Sequence, residues 1–232
     1  MALTDTESLD RRELILDAAV TVISRRGVDR ARLADVAEEA GVSLGLVQHY
    51  FRTRERLLVE TFRREQERIS AIWSQAVPEG ADPLVRLAEY VLLGSPEGGD
   101  AAATPFDPGW SFWLEFWSKA NRDAEIRAEM ASIYGAFGGL FRDAIRDGVR
   151  RKEFRPTGSV DDVADRLISL MDGIAIRTLL GELARERMLR LLTASLGIEL
   201  GLDDSQRRRL RSYVSQRKRA SRRATPPPRT RT

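Results

Sequence analysis

The 232-residue chain has no cysteine and a single histidine, His49. The first absence excludes disulfides and thiolate metal sites and makes a reducing cytoplasm the expected compartment. Together the two leave no Cys/His nucleophile pair and no metal-ligating cluster. There is also no P-loop and no dinucleotide fingerprint, so neither an enzyme nor a cofactor is expected. No apolar run approaches the ~18 residues of a membrane span. The opening MALTDTESLDRRELIL is too charged for a signal peptide. Segments of alternating polarity and internal repeats are missing as well, which leaves an all-α fold as the reading.

What is present is helical periodicity in a chain that is 42% hydrophobic. Leu14, Ile15, Ala18, Ala19, Val22 and Ile23 form one stripe, ended by Gly27. RLADVAEEAG and SLGLVQHY read as two short helices, and Thr53 caps a long fourth helix with Leu58, Phe62, Ile69, Ile72 and Trp73 on one face. A fifth helix runs from about Asp82 to Leu93, before the break GSPEGGDAAATPFDPG. A sixth carries Trp110, Trp113, Phe116, Trp117 and Ala120, and a seventh Ile126, Met130, Ile133, Phe137, Leu140, Phe141 and Ile145. The eighth, 159–180, has one apolar face of Val163, Leu167, Met171 and Ile174 and a second of Ile168, Ala175 and Leu179. A ninth carries Met188, Leu189, Leu192 and Leu196. About nine helices are expected.

The net charge of +3 conceals an asymmetry. Residues 206–232 hold eleven Lys or Arg and no acid, leaving 27 basic side chains against 35 acidic in the first 205 residues, a net of −8. A basic tail on an acidic body suggests an interaction arm, which could add phosphate contacts, with a solubilising tail as the other reading. Its first half is expected either to extend the ninth helix or to form a short basic one. Its second half, with its Pro run, has almost nothing to bury and is expected to be disordered.

The stretch AGVSLGLVQHYF, residues 40–51, fits a helix-turn-helix. Gly41 suits the tight turn, and Ala37 a close helix crossing. Val36, Val42 and Val47 then fill the inside of the angle, with Leu33 and Tyr50 at its ends. Ser43, Leu44, Gly45, Gln48 and His49 are left facing outward, with Leu46 at the edge. Such a set suits a major groove: Gln48 can bond adenine N6 and N7, the leucines can touch thymine methyls, and Ser43 and His49 can donate to phosphate or base. Gly45 lets the backbone approach the duplex. Arg54, at the start of the long helix, can hold a phosphate. The candidate DNA-binding residues are thus Arg32, Ser43, Leu44, Gly45, Leu46, Gln48, His49, Tyr50 and Arg54.

The order and spacing of RRELILDAAVTVISRRGVDRARLADVAEEAGVSLGLVQHYFRTRERLLVETF resemble the DNA-binding half of TetR-family transcriptional regulators. Two positions depart from that pattern. The family usually has tyrosine where this chain has Gln48 and lysine where it has Arg54. HYF, FWLEFWSKANRDAEIR and LMDGIAIRTLL resemble the subgroup that includes the choline-responsive repressor of glycine-betaine synthesis. The resemblance implies a repressor released from a palindromic double-stranded DNA operator by a small-molecule effector. It also implies a homodimer built through helices near 159–200, with an effector cavity among the middle helices. The two apolar faces of 159–180 agree with a partner on one side. The candidate ligand residues are Trp110, Trp113, Phe116, Trp117, Phe137 and Met171; an organic cation near Asp107 or Glu115 is one reading, a flat apolar molecule an equal second, and core packing of the same aromatics a third. The expected domains are 1–54 for DNA, 55–202 for ligand and dimerisation, and a basic tail at 203–232. Two alternatives remain at this stage: a helical interaction protein whose basic tail binds RNA or anionic membrane, and an all-α enzyme without a recognisable motif.

Overall fold

The computed structural model describes residues 5–77, 80–96 and 108–224. Among them the secondary structure is helical, with no strand: α1 (Asp5–Arg26), α2 (Leu33–Ala40), α3 (Leu44–Phe51), α4 (Arg54–Ala76), α5 (Pro83–Leu93), α6 (Pro108–Ala120), α7 (Ala124–Arg150), α8 (Val160–Leu179), α9 (Arg185–Glu199) and α10 (Asp204–Ala224), plus one 3-10 turn, Val28–Arg30. The nine expected helices are present. The tenth, Asp204–Ala224, runs through about the first two thirds of the basic segment, so it reaches past the first half in which a helix was expected. The remainder of the Gly/Pro/Ala break from 97, with Asp107, and the Pro run from 225 lie outside the described residues.

Local chemistry sets the helix boundaries. Ser43 Oγ accepts the Leu46 N–H at 3.2 Å, Thr53 Oγ1 the Arg56 N–H at 3.2 Å, and Asp82 Oδ1 the Leu84 N–H at 2.9 Å. Each satisfies a first-turn donor that has no partner inside its helix. Pro83 follows its cap at a position where a missing N–H is harmless.

The chain folds into two compact units. The first takes the described residues up to 74 and those from 108 to 135; the second takes 75–96 and 136–224. In the first, Ile15, Leu16, Ala19 and Ile23 of α1 meet Val36 and Ala37 of α2, Val47 and Phe51 of α3, Phe62 of α4 and Phe112 and Phe116 of α6. Leu14, assigned from its spacing to the buried stripe, is exposed, and Leu16 is buried in its place. A stripe one residue wider on the other side satisfies the same period.

The second unit is built from α5, the later part of α7, and α8 to α10. Both apolar faces of α8 are largely used inside it: Val163, Leu167, Met171 and Ile174 are buried, and so are Ile168 and Ala175, while Leu179 is half-buried. The second face therefore does not by itself call for a partner chain. The large apolar side chains exposed among the described residues of this unit are others: Val149 of α7, Leu170 of α8, Leu180 just after it, and Leu191 and Ile198 on α9. Leu192, one residue from Leu191, lies in the core.

Candidate functional site

Helix α2 ends at Gly41 with φ 65° and ψ 32°, in the left-handed region that glycine enters without a Cβ penalty. The Val42 N–H returns to Ala37 O at 3.0 Å and the Gly41 N–H to Glu38 O at 3.1 Å, a double closure that ends the helix within one residue. Two residues later Ser43 caps α3. Val47 and Phe51 of α3 are fully buried, Leu46 and Tyr50 half-buried, and Ser43, Leu44, Gly45, Gln48 and His49 exposed. Tyr50 packs against the first unit's core and meets the His49 ring edge-on at 5.5 Å. A Cβ at Gly45 would meet no atom closer than 4.0 Å, so packing does not demand glycine there. Arg32 precedes α2, where its backbone N–H donates to Asp35 Oδ2 at 3.1 Å and its side chain is exposed.

Arg54 stands in a different setting from the one its position suggested. Its Nε donates to Ala31 O at 2.7 Å, and an Nη donates to Val28 O. The guanidinium thereby takes up one carbonyl of the 3-10 turn between α1 and α2 and that of Ala31, which ends it. The same turn is held from another side by Glu115 of α6, whose Oε2 accepts the Val28 N–H at 2.8 Å. Gly27 makes room for that carboxylate: it has φ 83°, and a Cβ there would sit 3.0 Å from Glu115 Oε2. Glu115, a candidate partner for a bound cation, is thus engaged with backbone.

Arg52 was not among the sequence candidates. It is exposed at the exit of α3, with φ 57° and ψ −56°, and the Thr53 N–H bonds Phe51 O across it at 2.6 Å. This is the rare positive-φ form of the γ-turn, strained for a residue with a side chain. The signal available in the sequence was the position itself, between the aromatic pair and the Thr53 cap.

The aromatic candidates divide. Phe116 is fully buried, stacked on Phe62 at 4.4 Å and tilted against Phe112 at 4.7 Å. Trp113 packs edge-on to Phe62 at 5.4 Å. These two belong to the core of the first unit or its border. Trp110 and Trp117 are half-buried, with ring centroids 5.8 Å apart and planes at 74°. Trp117 lies nearly parallel to Tyr134 of α7, at 6.5 Å and 17°. Phe137 and Met171 fall in the second unit; Phe137 meets Phe141 edge-on at 5.1 Å, and Met171 is buried in the core.

A model of bacterial regulatory proteins of the TetR family matches residues 15–61, and one of the BetI-type transcriptional repressor C-terminal region matches 101–201. The HTH-type transcriptional regulator BetI of Cronobacter sakazakii is 30% identical over 172 residues, 73% of this chain and 80% of that protein. This chain belongs to the TetR family. The BetI regulator of Rhizobium meliloti is 29% identical over 173 residues, 72% of this chain and 77% of that protein. Among solved structures, a putative transcriptional regulator from Saccharomonospora viridis in complex with choline is 27% identical, with a TM-score of 0.73 over 81% of this chain and 96% of that one. TetR regulators of the BetI type are ligand-responsive repressors that act on operator DNA as dimers. The matched C-terminal region stops at residue 201, before α10. Among the described residues no helix is long and apolar enough to cross a membrane.

Proposed function

We propose that this TetR-family member is a cytoplasmic, non-enzymatic homodimer that reads a near-palindromic operator with α3 and releases it on binding a small organic cation. The observation that carries the reading is the sorting of α3. Val47 and Phe51 are sealed in the core, while Leu44, Gln48 and His49 stand together outside it. Gln48 takes the base-reading role, because its amide can pair with both N6 and N7 of one adenine. Ser43, Gly45, Leu46, His49 and Tyr50 supply neighbouring contacts. Arg32 and Arg52 serve as phosphate contacts at the two ends of the pair, both exposed. Arg54 acts by positioning, since it holds the turn that leads into α2.

Gln48→Ala is expected to weaken binding to the promoter fragment by roughly 1–3 kcal/mol and to relax preference at one base position in each half-site. Quantitative footprinting across a set of single-base operator variants reads both. Unchanged affinity together with unchanged preference would move the reading face elsewhere.

For the effector, the support is the set of half-buried rings Trp110, Trp117 and Tyr134 on α6 and α7, two nearly parallel and the third nearly perpendicular. Ring faces attract a quaternary ammonium through their quadrupoles. The similar Saccharomonospora viridis protein, bound to choline, favours that ligand class. Glu115 gives α6 a direct hold on the turn before α2. A shift of α6 on ligand binding would thus bias the recognition helices. Titration with choline is expected to quench tryptophan fluorescence and release the promoter fragment. Trp117→Ala is expected to abolish both responses while operator affinity in the absence of choline stays unchanged. Retained release in that variant would argue against these rings.

The dimer is assigned to Leu170 of α8, Leu180 at its C-cap, and Leu191 and Ile198 of α9. Leu180 is 72% exposed and Ile198 58%, large values for aliphatic side chains in the second unit. Leu191 and Ile198, two helical turns apart, share one face.

A further inference from the structure

We propose that α10 is a docked polyanion-binding helix, which adds sequence-independent contacts to the phosphate backbone of duplex DNA. The proposal rests on the DNA-binding reading above only for the identity of the polyanion.

Nine of the 21 residues of α10 are Lys or Arg, and one is acidic. A helix of this composition has little to bury; among its side chains described, through residue 217, Leu210 and Val214 enter the core. Its attachment is largely polar. Asp203 Oδ1 accepts the Gln206 N–H at 2.8 Å while Gln206 Oε1 accepts the Asp203 N–H at 3.0 Å, a reciprocal cap. Gln206 Nε2 also donates to Glu153 O at 2.8 Å, and Arg207 Nε to Leu202 O at 2.8 Å. The main fastening is Glu89 of α5, a carboxylate only 2% exposed. Arg217 donates to both of its oxygens, at 2.6 and 2.7 Å, and the Tyr213 hydroxyl donates to Oε1 at 2.6 Å. Burial and that bond push the Tyr213 phenol up to about 12, so it remains a donor at physiological pH. Arg209 meets Asp82 at 3.1 Å. Since Asp82 pairs with Arg209 and Glu89 with Arg217, α10 runs along α5 in the same direction.

This fastening sorts the cations. Arg209 and Arg217 are neutralised within the unit, and Arg207 is tied to a carbonyl. Arg208 and Arg211 are exposed, and neither has an acidic partner among the described residues. With exposed Ser212 and Ser215 they form one face at spacings of three, four and seven. That face extends about 10 Å along the helix, the axial rise of roughly three successive phosphates of one strand. Because α10 is already docked, its cations are held in place before they meet a ligand, which lowers the ordering cost of binding. The same face argues against a lipid surface. An interfacial helix needs exposed apolar residues to sink among acyl chains. Among the described side chains, through residue 217, Leu210 and Val214 are buried where α10 packs on α5 and α9, and the residues exposed from 208 on are Arg, Ser and Gln.

The test uses the full chain carrying Arg208→Ser and Arg211→Ser, a short mixed-sequence duplex without the operator, and anisotropy over a range of salt concentrations. The double variant is expected to bind this duplex more weakly. Its log–log salt slope should be shallower by about 1.8 per protomer, at about 0.9 for each phosphate that is no longer neutralised. The ratio of promoter-fragment to mixed-duplex affinity should stay the same. Gln48→Ala, measured in parallel, should change that ratio and leave the slope alone, so failure of the operator reading and failure of this proposal are separable. An unchanged slope in the double variant overturns the proposal. So does binding of the parent chain to phosphatidylcholine–phosphatidylserine vesicles that the double variant loses while its duplex slope is retained; that result would assign the helix to a membrane.

Discussion

Ile198→Glu is expected to convert the dimer to a folded monomer and to abolish specific operator binding. A two-fold interface presents the same residue from both copies, so one substitution buries two carboxylates in an apolar contact. Leaving a buried charge unpaired costs about 3–5 kcal/mol, enough to dissociate most dimers at working concentration. A monomer reads one half-site. Its affinity should fall from the range of specific complexes, about 10⁻⁸ to 10⁻¹¹ M, towards the 10⁻⁴ to 10⁻⁶ M of non-specific binding. Because Ile198 is exposed in the single chain, the protomer should keep its helical content. Leu192→Glu is the contrasting case, since Leu192 is 3% exposed and its substitution should unfold the second unit. Sedimentation equilibrium and circular dichroism on the two variants separate these outcomes. An intact dimer in both Ile198→Glu and Leu191→Glu would place the interface on another surface.

Phe116→Ala should cost about 3–5 kcal/mol of stability, the usual range for truncating a buried aromatic. Total stabilities of domains are about 5–15 kcal/mol, so this is a large fraction. The ring is fully buried and stacked on Phe62 at 4.4 Å, where the first unit's helices converge. Operator binding should weaken in proportion to the unfolded fraction, and choline should not restore it. Thermal unfolding followed by near-UV circular dichroism checks the prediction. A Phe116→Ala protein with a parental melting temperature and no choline response would return this ring to the effector site.

The turn around Gly41 was legible in the sequence because its determinants are local. A glycine at the bend, small Ala37 four residues before it and valines at helical spacing all act within fifteen residues. Arg54 and Glu115 were legible as charges and not as contacts. Their partners are backbone groups 23 to 87 residues away, and a carbonyl or an N–H has no letter of its own. The second apolar stripe of α8 was visible too, but a stripe carries no mark that distinguishes a subunit's own core from a neighbour's. The basic segment showed its helix but hid its docking for a related reason. Its charge overshadowed Leu210, Tyr213 and Val214, and the feature that fastens it, the buried carboxylate of Glu89, stands 124 residues earlier in the chain.

The bond from the Val28 amide to Glu115 carries a consequence for recombination between relatives. The unit that carries α3, the proposed reading helix, is discontinuous in sequence, because α6 and the start of α7 fold with α1 to α4. A chimera joined at a single crossover after α4 would import α1 and its following turn without the carboxylate that accepts the turn's N–H, and without Phe112 and Phe116 beneath it. Exchange of operator specificity between two such regulators therefore calls for a double crossover that moves residues 108–135 together with the N-terminal helices. If α3 reads the operator as proposed, the exchange can alternatively be confined to its few exposed positions, which can be rewritten without disturbing the shared core.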